Sequence, residues 1–168
     1  MIERLLAFQR LSTVTSSAGR IFDAVACLVC GVTDNAFEGD APMRLEAACA
    51  ATADGAYELG IDGTLPLQID WRPLVRQIVQ DRQDQVPPSV MAWRFHRAVA
   101  DVIIRLAGRY DNLPVVLSGG VFQNRVLVEL ITQGWQRRPT ELGLPHRIPV
   151  NDGGLAVGQL LIAQQHRP

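Results

Sequence analysis

The sequence predicts an α/β fold: a short, mostly parallel sheet with helices packed on it, plus a β-hairpin insertion. Three patterns carry that expectation. Val115-Val116-Leu117 is a β-branched apolar run bounded by Pro114 and by Gly119-Gly120, which reads as a buried strand that stops abruptly. His146 to Val150 reads as a second buried strand, again followed by a glycine-rich turn, Asn151-Asp152-Gly153-Gly154, and then by a helix from Leu155 to about Gln164. The remaining apolar residues recur mostly at helical spacing, as in Leu74, Val75, Ile78 and Val79.

At 168 residues the chain can enclose a core as one domain spanning residues 1–168. Hydrophobic content of 48% with a formal net charge of −1 argues for a globular chain, and against a basic nucleic-acid surface or a disordered tail. No apolar run approaches the roughly 20 residues of a membrane span. The opening Met1 to Arg10 lacks the apolar core of a secretory signal. The expected setting is therefore cytoplasmic, with neither nucleic acid nor membrane as partner. Cys27, Cys30 and Cys49 are odd in number and lie in apolar helical surroundings, which disfavours a disulfide framework. Cys27-x-x-Cys30 has no second cysteine pair to complete a metal site, so it reads as two small buried residues one helical turn apart.

In chain order, Met1 to Leu11 reads as a helix end or connection. The hydroxyl-rich Ser12 to Ser17 suits a loop and an N-cap. From Ala18 to Cys30 the chain is nearly all apolar, and Gly31 is placed to close that helix. Asp23 is the only acidic residue in it, either a salt-bridged first-turn carboxylate or one held there for a ligand. A helix from Ala41 to Asp54 is expected next, capped by Asp40. A hairpin follows, with strands around Tyr57–Ile61 and Leu65–Ile69, a tight turn at Asp62-Gly63, and Pro66 marking an edge. Asp70 can cap a helix to about Gln83. The longest helix runs from Ser89 to Ala107 with Met91, Phe95, Val99, Val102, Ile103 and Leu106 inward. His96, in Trp93-Arg-Phe-His-Arg97, reads as a satisfied or surface side chain. Another helix is expected from Phe122 to about Gln136.

If the two strands are parallel neighbours, both glycine-rich turns fall at one sheet edge, where open α/β sheets bind ligands. Free helix N–H groups favour anions there, and Ser118, Gly119 and Gly120 would let backbone approach a phosphate or ribose. An ordinary strand-to-helix turn has the same local pattern. Asn124 offers a donor and an acceptor, and Asp152 an anionic oxygen suited to a metal.

Ser118-Gly-Gly-Val-Phe-Gln-Asn124, Asn151-Asp-Gly-Gly-Leu-Ala-Val-Gly-Gln159 and Thr15-Ser-Ser-Ala-Gly-Arg-Ile-Phe-Asp-Ala-Val-Ala26 together resemble one family. They are similar to the C-terminal part of the HypF hydrogenase-maturation carbamoyltransferases and, more distantly, to the TsaD-type threonylcarbamoyl-transfer enzymes. The resemblance implies a partial actin-like ATPase (ASKHA) lobe. It implies nucleotide binding by Gly19, Asp23, Ser118, Gly119, Gly120 and Asn124, with Asp152 as a metal ligand. It implies carbamoyl-adenylate made from carbamoyl phosphate and ATP, and transfer of the carbamoyl group to the C-terminal cysteine of a HypE-like acceptor in hydrogenase maturation. A divalent metal, zinc or iron, is implied for the complete enzyme.

The departures are as informative. The family's H-x-x-x-H metal pair is missing, since the three histidines are His96, His146 and His166. The chain resembles roughly the last fifth of a HypF, and the resemblance implies that the family's acylphosphatase-like, zinc-finger-like and YrdC-like domains lie outside these residues. An uncovered sheet edge is expected, to be met by a separate chain carrying those domains or by a homodimer. A non-catalytic scaffold module and an O-carbamoyl or threonylcarbamoyl transferase are the alternative readings.

Overall fold

A computed structural model describes residues 15–165 apart from 51, 64, 111, 112, 137, 145 and 146. The expectations for Met1 to Val14, for His146 and for His166 lie outside the described residues.

Helix α1 (Ala18–Cys30) forms from the apolar run, and Gly31 closes it in the left-handed region at φ 70°, with its N–H donating to the Cys27 carbonyl. Phe22, Val25, Ala26 and Val29 bury one face. Cys27 is exposed and Cys30 half-buried, so the two do not form the buried pair expected of them. Helix α2 (Asp40–Ala47) is shorter than expected. Its first-turn donor at Ala41 is capped by Asn35 Oδ1, 3.1 Å away, whereas Asp40 turns back to the Ala36 N–H and to a bidentate pair with Arg44. It ends at Ala47 because Ala50 N–H donates to the carbonyl of Ser89, which pulls the chain out of helical register.

The hairpin is present but short. Strands β1 (Gly60–Asp62) and β2 (Gln68–Asp70) pair antiparallel, Ile61 opposite Ile69, so five residues separate them where a tight turn at Asp62-Gly63 is expected. Helix α3 (Arg72–Gln83) starts two residues after Asp70, whose carboxylate accepts from the Arg72 N–H and guanidinium. Helix α4 (Pro88–Ala107) is the longest element. Met91, Phe95 and Val102 are buried on it as expected, Val99, Ile103 and Leu106 are half-buried, and His96 is fully enclosed.

The central sheet has two strands, β3 (Val115–Val116) and β4 (Leu142–Gly143), parallel, with Val115 opposite Leu142. The second strand therefore lies upstream of the expected His146–Val150. Pro149 has no N–H to give to a ladder, and the Val150 carbonyl accepts from Gly119 N–H at 2.8 Å instead of from a strand partner. Between the strands, a 3₁₀ turn (Gly120–Gln123) precedes helix α5 (Arg125–Trp135), so the helix expected from Phe122 begins three residues later. A second 3₁₀ turn (Asp152–Gly154) leads into helix α6 (Leu155–Gln165).

One core joins α1, α2, α3, α4 and α5, with α4 against α5 and α1 against α2 as its main packings. Tyr57 pins the segment before β1 to this core. Its hydroxyl donates to Asp81 Oδ2 at 2.8 Å, and Arg94 closes the same carboxylate at 2.7 Å. Two surfaces are left open. Val116 is 68% exposed on the sheet, and α6 buries none of its residues although Leu155, Leu160, Leu161 and Ile162 are apolar.

Tyr57→Phe removes one hydrogen bond while leaving the Asp81–Arg94 ion pair, so stability should fall by about 1–2 kcal/mol with the slope of a urea unfolding curve unchanged. An unchanged midpoint would show that the clamp contributes nothing.

Candidate functional site

Two glycine-rich turns meet at the end of β3. Gly119 sits at φ 108° and ψ 156°, a conformation essentially confined to glycine. Its N–H bonds the carbonyl of Val150, the residue before Asn151, and this bond draws the two turns together. Gly120 needs no such freedom, and a Cβ there would make only an ordinary contact with Gln123. In the second turn Asn151 Oδ1 accepts from Gly153 N–H at 3.1 Å, and a Cβ on Gly154 would run into the Pro149 carbonyl. Of the four glycines, Gly119 and Gly154 are therefore the two required by backbone geometry. Ser118, Gly119, Gly120 and Asp152 are all exposed.

Asn124 is different. It caps α5, with Oδ1 accepting from Leu127 N–H at 2.8 Å, and only 7% of the residue is exposed. That bond fixes the carboxamide, so Nδ2 must be the atom facing His96 Nε2 at 2.9 Å. His96 Nδ1 lies 2.8 Å from the Ala92 carbonyl and must carry the proton. The imidazole is thus neutral, protonated at Nδ1 and accepting at Nε2. Both Asn124 and His96 are engaged within the fold, leaving one amide proton and one oxygen lone pair of Asn124 for anything else.

The surroundings reinforce the arrangement. Phe22 and Phe95 stand edge-on to the imidazole at 5.6 and 5.5 Å. Cys49 Sγ lies 3.2 Å from Nδ1, and burial, with Glu46 and Cys30 nearby, pushes its thiol up to about 12, so it is not a nucleophile at neutral pH. Glu46 Oε1 accepts from Arg125 N–H at 2.7 Å, a second anchor for the first turn of α5.

Gly19 and Asp23 come from α1, which touches the Gly120–Gln123 turn. Phe22, next to Asp23, packs on the histidine that holds Asn124, so the first half of α1 lies on the Asn124 side of the molecule. Arg20 Nη1 is 3.0 Å from Asp23 Oδ2, a charge contact whose alignment is not that of a hydrogen bond. The buried Oδ2 is left without a donor among the described residues. No cluster of three His, Cys, Asp or Glu suited to a metal is found among the described residues, so the residues described do not by themselves fit a metal site.

Of the two readings open for His96, satisfied or surface, the structure bears out the first, while sequence reasoning gave Cys49 no role at this site and did not single out Glu46. A usable signal existed for His96: Ala92, His96 and Ala100 recur at four-residue spacing, and the flanking alanines leave an imidazole-sized space on the buried face.

A family model described as carbamoyltransferase, Kae1-like domain, second subdomain, matches residues 1–159. The chain belongs to the HypF carbamoyltransferase family. HypF of Synechocystis sp. is 33% identical over 156 residues, covering 92% of this chain and 20% of that protein. HypF of Rhizobium leguminosarum bv. viciae is 37% identical over 158 residues, covering 90% and 20%. Among solved structures, full-length HypF in its phosphate- and nucleotide-bound form superposes with a TM-score of 0.83 at 36% identity, over 89% of this chain and 20% of that one. The HypF of T. kodakarensis gives 0.78 at 26% identity, over 96% and 22%. The chain thus spans about one fifth of the length of these relatives and corresponds to the C-terminal part of HypF. No described helix is long and apolar enough to cross a membrane.

Two outcomes follow from the site geometry. Gly119→Ala should cost about 1–3 kcal/mol, because the backbone must leave its glycine conformation. Gly120→Ala should stay within about 0.5 kcal/mol by the same urea titration, and equal losses at both positions would contradict the assignment.

The second concerns pH. Burial holds the His96 imidazole below its ordinary value of 6.5, against a weaker opposing pull from the Ala92 carbonyl and Glu46. The unfolded chain then binds the proton first. The stability contributed by neutral His96 is complete above 6.5 and is lost as pH falls from there through the lowered folded-state value. Unfolding midpoints measured from pH 7.5 to 5 should fall in the wild type and fall less in His96→Gln. Parallel curves for the two would exclude His96 as the source.

Proposed function

We propose that this chain supplies the C-terminal half of the carbamoyl-adenylate site of a HypF-type carbamoyltransferase. In that role it handles ATP-derived adenylate and helps deliver the carbamoyl group to the terminal cysteine of a HypE-like acceptor during hydrogenase maturation, in the cytoplasm. The observation that carries this reading is the Gly119 N–H to Val150 carbonyl bond, which brings the Ser-Gly-Gly and Asn-Asp-Gly-Gly turns to one edge of β3. Such an edge suits a phosphate or ribose, because exposed turn backbone and glycine admit close approach. The Asp23 carboxylate, charge-paired with Arg20 at 3.0 Å but with no aligned hydrogen bond at Oδ2 among the described residues, fits a nucleotide group that donates one.

The bound adenylate would supply an activated acyl group. The protein's own residues would orient it, with Gly19 and Asp23 on one side and Ser118, Gly119, Gly120 and Asn124 on the other. Asp152 would contribute one ligand to a zinc or iron site whose remaining ligands come from elsewhere in an actin-like lobe. That remainder, in the same or a separate chain, would cover the open edge at Val116 and the apolar α6. A helix that is apolar all round is stable when enclosed on all sides. A homodimer is the competing way to cover it.

A second reading, a non-catalytic binding module, draws on one observation: the Asn124 carboxamide is already engaged with Leu127 and His96. Carbamoyl transfer to a HypE-like acceptor, in a complete assembly containing this chain, separates the two. Asp23→Asn should reduce transfer by at least about 100-fold with the circular dichroism unchanged. Wild-type rates in that variant would favour the module. The 168-residue chain alone should show no carbamoyl-phosphate-dependent exchange of pyrophosphate into ATP, and robust exchange would refute the division of labour proposed here.

A further inference from the structure

We propose that His96 is a positioning residue for the Ser118–Asn124 turn: its neutral imidazole, locked by the Ala92 carbonyl, fixes the Asn124 carboxamide and through it the entry to α5. The geometry admits one set of proton positions. Leu127 N–H is a donor, so Asn124 must present Oδ1 to it and Nδ2 to the histidine; the Ala92 carbonyl is an acceptor, so Nδ1 must be protonated and Nε2 free to accept. The same network cannot form with an imidazolium, whose Nε2–H would face the Nδ2 donor. Nor can the ring rotate away, since Phe22 and Phe95 stand edge-on to it and none of it is exposed.

The link spans three elements. His96 belongs to α4, Phe22 to α1 beside Asp23, and Asn124 to the junction between the 3₁₀ turn and α5. A change at His96 therefore reaches the backbone of the glycine turn without His96 itself touching a ligand. That the turn faces a ligand rests on the function proposed above; that His96 orders it does not.

Three forms of the 168-residue chain test this: wild type, His96→Gln and His96→Leu. Glutamine can bring a carbonyl oxygen to the position of Nε2 and accept from Asn124, whereas leucine fills the volume without an acceptor. The readouts are hydrogen exchange of the Asn124 side-chain amide and the Leu127 backbone amide, and calorimetric affinity for ATP. We expect His96→Gln to match the wild type in both. We expect His96→Leu to exchange about tenfold faster at both groups and to bind ATP about tenfold more weakly. Protection in His96→Leu equal to wild type, or equal disturbance in both variants, would overturn the proposal. If His96→Leu does not fold, tenfold faster exchange in His96→Gln overturns it and wild-type protection there supports it. Faster exchange with unchanged ATP affinity would overturn its functional half. Should no form bind ATP, as half of a site permits, the exchange pattern alone supports or overturns the ordering role.

Discussion

The buried bond from Asn124 to His96 is the constraint on which the rest of the molecule depends. A carboxamide and an imidazole taken from water cost several kcal/mol unless each polar atom finds a partner. Here the partners are the Ala92 carbonyl within α4 and the Leu127 N–H within α5, so the pair closes only when those two helices pack in one register. The apolar contacts between α4 and α5 supply bulk stabilisation but would tolerate some slippage. The polar pair does not. It also sets where β3 must stop, because the strand, the Gly119 turn and the Asn124 cap are separated by too few residues to adjust independently.

From that fixed junction the second turn follows. Gly119 donates to Val150, and the backbone conformation that lets it do so is open to glycine and to almost nothing else. The site is therefore assembled from main chain, with side chains deciding its orientation from behind. Asp23 differs: its Oδ2 is buried and charge-paired with Arg20 at 3.0 Å, with no aligned hydrogen bond among the described residues.

Much of the fold is legible in the sequence, and the differences have physical causes. Helices α1, α3, α4 and α5 follow from apolar periodicity, and Gly31 marks a boundary through backbone chemistry that sequence patterns encode, whereas Asn124, which falls inside the helix expected from Phe122, caps it instead. The second strand lies away from its expected position because His146–Val150 is apolar enough to read as a strand, while Leu142–Gly143 gains its place only from the β3 edge it pairs with. Helix α2 is shorter than its pattern suggests because its end is set by a bond from Ala50 to Ser89, which no local pattern reveals. The three site motifs are legible as motifs. What they cannot show is that the Asn124 carboxamide serves the fold first, since its partner lies 28 residues away on another helix. The open faces at Val116 and α6 have the same lesson in reverse, for their apolar sequence is meaningful only with whatever covers them, and this chain is one fifth of the relatives it matches.

The central claim, that a neutral histidine orients the glycine turn, is tested most directly by the nitrogen chemical shifts of the His96 ring at neutral pH. Long-range proton–nitrogen correlation should show Nδ1 as the protonated nitrogen and Nε2 as a hydrogen-bonded acceptor, with no exchange between tautomers. An imidazolium, or a proton resident on Nε2, would contradict the account, because Asn124 could then no longer donate to the ring while capping Leu127.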